Sequence, residues 1–559
     1  MIRLLKISML LLLWIPMVVK SQSIVTTKHN MSVSGPGAIK ATTESEICIF
    51  CHAPHNARPD RPLWNRNNPG LTYTLYASST TQAVLGQPDG ASILCLSCHD
   101  GTIALGSIIS RTAPIIMAGG VTTMPTGLSN LTKDISNDHP MSFIYDAALA
   151  AADGQLINPA TLTGPVKLEN NKLQCTSCHD PHKDVYTKFL VASTQASNLC
   201  LVCHTPTNWT GASHRNSTRT WNGTAPNPWF HTPYTTVAQN GCENCHNPHS
   251  AAGKLRLMDY LPEENNCLDC HNGNVATKNV QAQFSKTYKH NVYGYTGIHD
   301  PVENSLVSTN HVECVDCHSA HQANSTTAVA PNVNGFTIGV KGIDQNGNPV
   351  NPAIYGYQIC YRCHTNTPGQ APPAAPRVIV QNNVRLEFAT TNPSFHPVVG
   401  PRNNTEISGN LIAPNTASTI LYCTACHASD GTGSPAGPHG STFPHILKFQ
   451  YLTANNTPES AAAYALCYSC HNRNNIINDI NTFSEHRKHI VEENAPCTTC
   501  HDPHGIGSPG TATNNSNLIN FNTSIVSPSG GVIQFIDTGV RHGSCRLVCH
   551  GENHNPYTY

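Results

Sequence analysis

The chain is 559 residues long and close to electroneutral, with 32 Lys+Arg against 33 Asp+Glu. That balance excludes the basic surface on which nucleic-acid binding depends. Aromatic residues make up only 6% while cysteines and histidines number 24 and 31, which excludes an ordinary apolar core unless those two residue types bring hydrophobic bulk of their own.

Residues 1–23 read as a secretory signal peptide, with a basic start at Arg3 and Lys6, an apolar run from Ile7 to Val19, and small residues at Ser21 and Ser23. The run is too short to cross a bilayer, and no later segment has the length of apolar sequence that spanning requires. No cysteine precedes Cys48, which argues against a lipid-anchored N-terminus. The expectation is an exported chain acting in the periplasm or at the outer surface.

From Cys48 onward the cysteines fall in pairs, each closed by a histidine, and the pairs group into two-pair modules. Module one (24–110) holds Cys48/Cys51/His52, with a second histidine at His55, then Cys95/Cys98/His99. Module two (111–215) holds Cys175/Cys178/His179 with His182, then Cys200/Cys203/His204. Module three (216–285) holds Cys242/Cys245/His246 with His249, then Cys267/Cys270/His271, and module four (286–365) holds Cys314/Cys317/His318 with His321, then Cys360/Cys363/His364. A Pro-rich stretch, 366–377, reads as a semi-rigid linker. Module five (378–480) holds Cys423/Cys426/His427, its second histidine displaced to His439, then Cys467/Cys470/His471. Module six (481–559) holds Cys497/Cys500/His501 with His504, then Cys545/Cys549/His550, where one extra residue separates the cysteines. Such self-similarity predicts a serial array in which each unit meets mainly its neighbours.

C-x-x-C-H is the attachment signature of c-type haem: two thiols reach the two vinyl groups of one porphyrin and the next imidazole binds its iron. Zinc knuckles need no histidine after every second cysteine, and disulfide frameworks belong to short chains and need none either. The cofactor predicted is haem c, twelve per chain. The fold predicted is mostly irregular coil with short α-helices and little β, organised around the haems, which take the place of a core. Each ferric haem with two histidine ligands and ionised propionates adds about −1, so the oxidised holoprotein carries a charge on the order of −13 and attracts basic partners or cationic metals.

A histidine three residues past the proximal ligand cannot reach the far side of the same iron, but it reaches the iron of a haem packed close by. His55, His182, His249, His321, His439 and His504 are therefore expected as distal ligands. One histidine upstream of each doubled motif completes the set: His29, His139, His231, His311, His396 and His489. In module four His290 and His299 compete with His311 for that role; His214, His445, His486, His542 and His554 are left unassigned and read as surface or supporting residues, with His542 the first alternative ligand. Asp344-Gln345-Asn346-Gly347-Asn348 begins like a calcium loop, but Tyr355 stands where a bidentate Glu is required, so it reads as a turn.

The stretches I-C-I-F-C-H-A-P-H-N, P-L-W-N-R (Pro62 to Arg66), L-C-L-S-C-H-D-G-T, D-H-P-M-S-F and Q-C-T-S-C-H-D-P-H resemble the multihaem c-type cytochromes of metal-reducing bacteria with doubled C-x-x-C-H motifs. The resemblance implies bis-His, low-potential haems and electron transport in the periplasm or at the outer surface. The partners it implies are other cytochromes or extracellular metal acceptors. Three functions compete on this sequence. An electron conduit requires every iron saturated. A reductase requires one open iron, and the C-x-x-C-K motif typical of multihaem nitrite reductases is missing. A filament subunit requires end-to-end association, with His29 or His554 as candidates for a ligand donated to a neighbouring copy.

Overall fold

A computed structural model describes residues 23–59, 61, 63–304, 311–365, 375–403 and 409–559. The signal peptide and most of the Pro-rich linker lie outside the described residues. Elsewhere the chain is coil with short helices and two-residue β-pairings. The longest helix among the described residues is α1 (Gly90–His99), which carries the second haem motif; α2 (Asn265–His271) carries the sixth.

The apolar side chains do not gather into one core. They form nine small clusters among the described residues, the largest with seven buried members around Phe50 and Leu105. Every cluster has a motif cysteine packed against it or among its members, for instance Cys51 and Cys98 against the Phe50 cluster and Cys317 against the Ile359 cluster. Hydrophobic burial is thus organised around the cofactor-attachment points.

Between clusters, buried polar groups tie successive motifs together. Arg66 is fully buried and donates to the carbonyls of Leu105 at 2.8 Å, Ala104 at 3.0 Å and Ser97 at 3.1 Å. Ser92 on α1 donates to Gln174 Oε1 at 2.6 Å and accepts from the Cys175 amide at 3.1 Å, which joins the second motif to the third. Gly90 opens α1 at φ +50°, and a Cβ there would stand 2.6 Å from Gln174 Nε2, so this junction admits only glycine.

The one extended sheet among the described residues is at the C-terminus. It comprises β1 (Val526–Ser527), β2 (Gln534–Gly539), β3 (His542–Cys549) and β4 (Glu552–Thr558), antiparallel in the order β2-β3-β4 with β1 also on β3. It carries the twelfth motif.

Candidate haem-ligating sites

Eleven of the twelve motifs share one local geometry. The chain makes a single helical turn in which the amide of the histidine bonds back to the carbonyl of the first cysteine, as from His52 to Cys48 at 2.8 Å and from His501 to Cys497 at 3.0 Å. One turn brings the two thiols to the same side and leaves the histidine at its exit. In five of the six doubled motifs the histidine then enters an isolated β-bridge: His52 with Trp64, His179 with Leu190, His246 with Met258, His427 with Leu447 and His501 with Ile519.

Just before the bridge partner the chain turns left-handed, at Leu63, Lys188, Arg256, His445 and Asn517, with φ between +50° and +65°. In four of these the exposed carbonyl accepts the proximal ring's Nδ1–H: Lys188 from His179 at 2.9 Å, Arg256 from His246 at 2.8 Å, His445 from His427 at 2.8 Å and Asn517 from His501 at 2.9 Å. Fixing Nδ1–H on a carbonyl turns the Nε2 lone pair outward, the tautomer a metal requires.

Across from each of these eleven proximal rings stands a second imidazole. Two trans nitrogens, each about 2 Å from one iron, place their ring centroids about 6 Å apart. His182 lies 6.2 Å from His52, His249 6.1 Å from His179, His321 6.2 Å from His246, His439 6.2 Å from His318 and His504 6.0 Å from His427. In every one of these five, the doubled-motif histidine of one module faces the proximal histidine of the module before it. The single motifs use upstream rings: His29 at 6.2 Å from His99, His139 at 6.2 Å from His204, His214 at 6.1 Å from His271, His290 at 6.2 Å from His364 and His396 at 6.4 Å from His471. The eleventh proximal ring, His501, faces His486 at 6.3 Å.

The two kinds of pair are interlocked. The Nδ1 of His29 donates to Pro181 O at 2.9 Å, that of His214 to Ala320 O at 3.1 Å, that of His290 to Pro438 O at 2.8 Å and that of His396 to Pro503 O. Each acceptor immediately precedes a doubled-motif histidine, so the x-P-H turn orients two imidazoles, one by its backbone and one by its side chain. His249 and His504 are instead held by carboxylates, Asp138 Oδ1 at 3.0 Å and Glu387 Oε2 at 2.8 Å.

Burial, reinforced by the facing imidazole, lowers the pKa of His204, His271 and His364 to about 4 and that of His471 to about 3. These rings are neutral at pH 7, the form that binds metal. Burial also opposes the charged form of His504, but hydrogen bonding to Glu387 outweighs it and raises the pKa.

Consecutive motifs are neighbours in space from one end to the other. The thiols of Cys95 and Cys175, Cys200 and Cys242, Cys267 and Cys314, Cys360 and Cys423, and Cys467 and Cys497 perturb one another directly. Cys51 with Cys98, Cys178 with Cys203, Cys245 with Cys270, Cys317 with Cys363, Cys426 with Cys470 and Cys500 with Cys545 interact electrostatically at the alternate junctions. Spatial order follows sequence order.

Five expected ligands, His55, His231, His311, His489 and His550, belong to no pair with one of the eleven proximal rings. His55 is exposed and faces no proximal ring. His231 is buried beside Asp259, its Nε2 3.8 Å from the carboxylate. His311 lies 6.0 Å from His299, which follows no cysteine. His550 sits with Gly551 at the tip of the β3–β4 hairpin, at φ +48° and +85°, and its Nε2 is 2.7 Å from Asn455 Oδ1; two left-handed residues at such a tip form a type I′ turn. Because its motif is a strand and not a helical turn, Cys545 and Cys549 stand about 13 Å apart along β3, which is not the geometry that places both thiols on one porphyrin. The ring that faces His489, at 6.2 Å, is His554 on β4, directly across from Leu547. Sequence reasoning left His214, His290, His486 and His554 unassigned; only His290 carried a local signal, its K-H-N repeating that of His29.

Two family descriptions match. Residues 167–208 and 231–276 match the doubled CXXCH motif, and residues 346–508 match domains II/IV of the outer membrane cytochromes described as MtrC/MtrF-like. It is a multihaem c-type cytochrome. The paired CXXCH motifs indicate covalently bound c-type haem, and the matched domains are those of electron-transfer cytochromes. No protein of curated function matches it. Among the described residues no helix is long and apolar enough to cross a membrane.

Proposed function

We propose that this cytochrome is a multihaem conduit in which the eleven helical-turn motifs each hold one haem and the His489–His554 pair marks a twelfth, every iron held by two imidazoles of the same chain, and that it passes low-potential electrons in the periplasm or at the cell surface to another cytochrome or an extracellular metal acceptor. The observation that carries this is the set of twelve facing imidazole pairs, 6.0–6.4 Å apart. When bound, haem supplies a one-electron couple whose potential is set by its axial ligands and their hydrogen bonds. The chain supplies the rest: cysteine turns that fix each site, carbonyls and two carboxylates that orient the imidazoles, and contacts that keep consecutive sites adjacent. A site with imidazole on both faces has no position for a substrate, which favours conduction over reduction of a small molecule.

The chain also supplies its own ligands at both ends, since His29 faces His99 and His554 faces His489. Polymerisation by a donated histidine therefore loses its two candidate donors. Intact-mass measurement of the haem content together with low-temperature EPR of the oxidised protein tests the proposal. Twelve haems with low-spin signals alone are expected. A stoichiometric high-spin signal, or eleven haems, overturns the corresponding part.

A further inference from the structure

We propose that His299, Glu303 and His311 form a mononuclear site for a divalent transition-metal ion, zinc in the first instance, separate from the haems. The three residues present one ligand atom each, all within 4.8 Å of one another. His299 Nδ1 is 3.9 Å from Glu303 Oε1, and His311 Nε2 is 3.6 Å from the same oxygen. Ligands about 2.1 Å from a tetrahedral ion stand about 3.4 Å apart, so the two imidazole–carboxylate separations are within about half an ångström of that spacing.

The site is built. His299 is only 6% exposed, and its Nδ1, aimed at Glu303, is buried without a hydrogen-bond partner. A buried imidazole nitrogen left in that state carries an uncompensated desolvation penalty, which coordination removes. The backbone of His299 is clamped on both sides: its amide donates to Glu263 Oε2 at 2.6 Å, its carbonyl accepts from Arg256 at 2.6 Å, and Arg256 pairs with Glu263 at 3.0 Å. Tyr295 stacks on the His311 ring at 4.3 Å. Behind His299, Nε2 faces Asp316 Oδ1 at 3.9 Å, and Asp316 is paired with Arg362 at 3.0 Å. A carboxylate behind a ligating imidazole is the usual outer partner of a metal-bound histidine.

Two imidazoles and one carboxylate select zinc or another late first-row ion over calcium or magnesium, which take oxygen ligands. The fourth position is left for water. Neither histidine follows a cysteine, and all 24 cysteines belong to haem motifs, so the cluster is not a displaced haem site. An ion there would hold His299, Glu303 and His311 beside the eighth motif, whose Cys363 interacts with both Glu303 and Asp316.

The test is zinc titration of the chelator-treated holoprotein, followed by calorimetry and elemental analysis, with haem counted in the same sample. One zinc per chain is expected in the wild type and none in Glu303→Gln or His311→Gln, at unchanged haem content. Uptake unaltered by both substitutions, or no uptake at all, overturns the site. Should a variant lose haem, X-ray absorption at the zinc edge of the wild type decides independently. Two imidazole nitrogens with oxygen are required, and a sulfur-containing or all-oxygen shell refutes the assignment.

Discussion

His550 follows its cysteine as the eleven other proximal histidines do, yet it occupies a hairpin tip and bonds Asn455 at 2.7 Å. The extra residue between Cys545 and Cys549 accounts for the difference: a strand forms where the other motifs make one helical turn. Leu547 pairs with His554, so Cys545, Leu547, Cys549 and His554 project from one face of the sheet. His554→Ala should therefore convert one haem to high spin, visible in EPR, while His550→Gln leaves all irons low-spin. The opposite pattern would restore His550 as the ligand. A second residue-scale prediction concerns Glu387. Its carboxylate accepts the Nδ1–H of His504 and lends the ring anionic character, which stabilises ferric iron. Glu387→Gln weakens that bond by about 1 kcal/mol, which is roughly 40 mV for one electron. One haem of the array should titrate at a potential higher by about that amount in spectroelectrochemistry, and an unchanged set of potentials would refute the role.

Among elements, the two kinds of pair differ in ring orientation as well as origin. Upstream histidines meet single-motif rings at 58–77°, whereas doubled-motif histidines meet theirs at 12–50°. Crossed imidazole planes leave two iron d orbitals nearly degenerate and give a single large-g EPR feature; near-parallel planes split them and give a rhombic spectrum. Both signal types should appear, in comparable amounts, and a spectrum of one type alone would contradict the alternation. The sequence made legible the one-turn motifs and the approach of a doubled-motif histidine to another motif's histidine, because both follow from short fixed spacings. The left-handed acceptors were not legible: Lys188, Arg256 and His445 have no intrinsic preference for positive φ, and only the bond to a proximal ring demands it. The upstream ligands were legible in part, since coil of variable length separates them from their irons. The boundary at 215/216 cut His214 from His271, the ring it faces. The C-terminal sheet gave no clear signal beyond the one extra residue in the last motif.

For the whole molecule, the paired imidazoles bear on whether the conduit is complete as a single chain. Twelve facing pairs consume 24 histidines of one chain, and each junction between consecutive motifs is made by that chain's own cysteines. The exposed His55 is the one doubled-motif histidine without a proximal ring to face, whereas each of the other five reaches back one module. A dilute, monomeric sample, verified by light scattering, should then show the full low-spin complement, unchanged as concentration rises. If one haem were high-spin in the monomer and became low-spin on self-association, a ligand would have to come from a second copy, with His55 the first suspect. His55→Ala separates the cases. In a self-sufficient chain it leaves every EPR signal intact at all concentrations, whereas in a chain that lends a ligand it leaves one iron open however concentrated the protein.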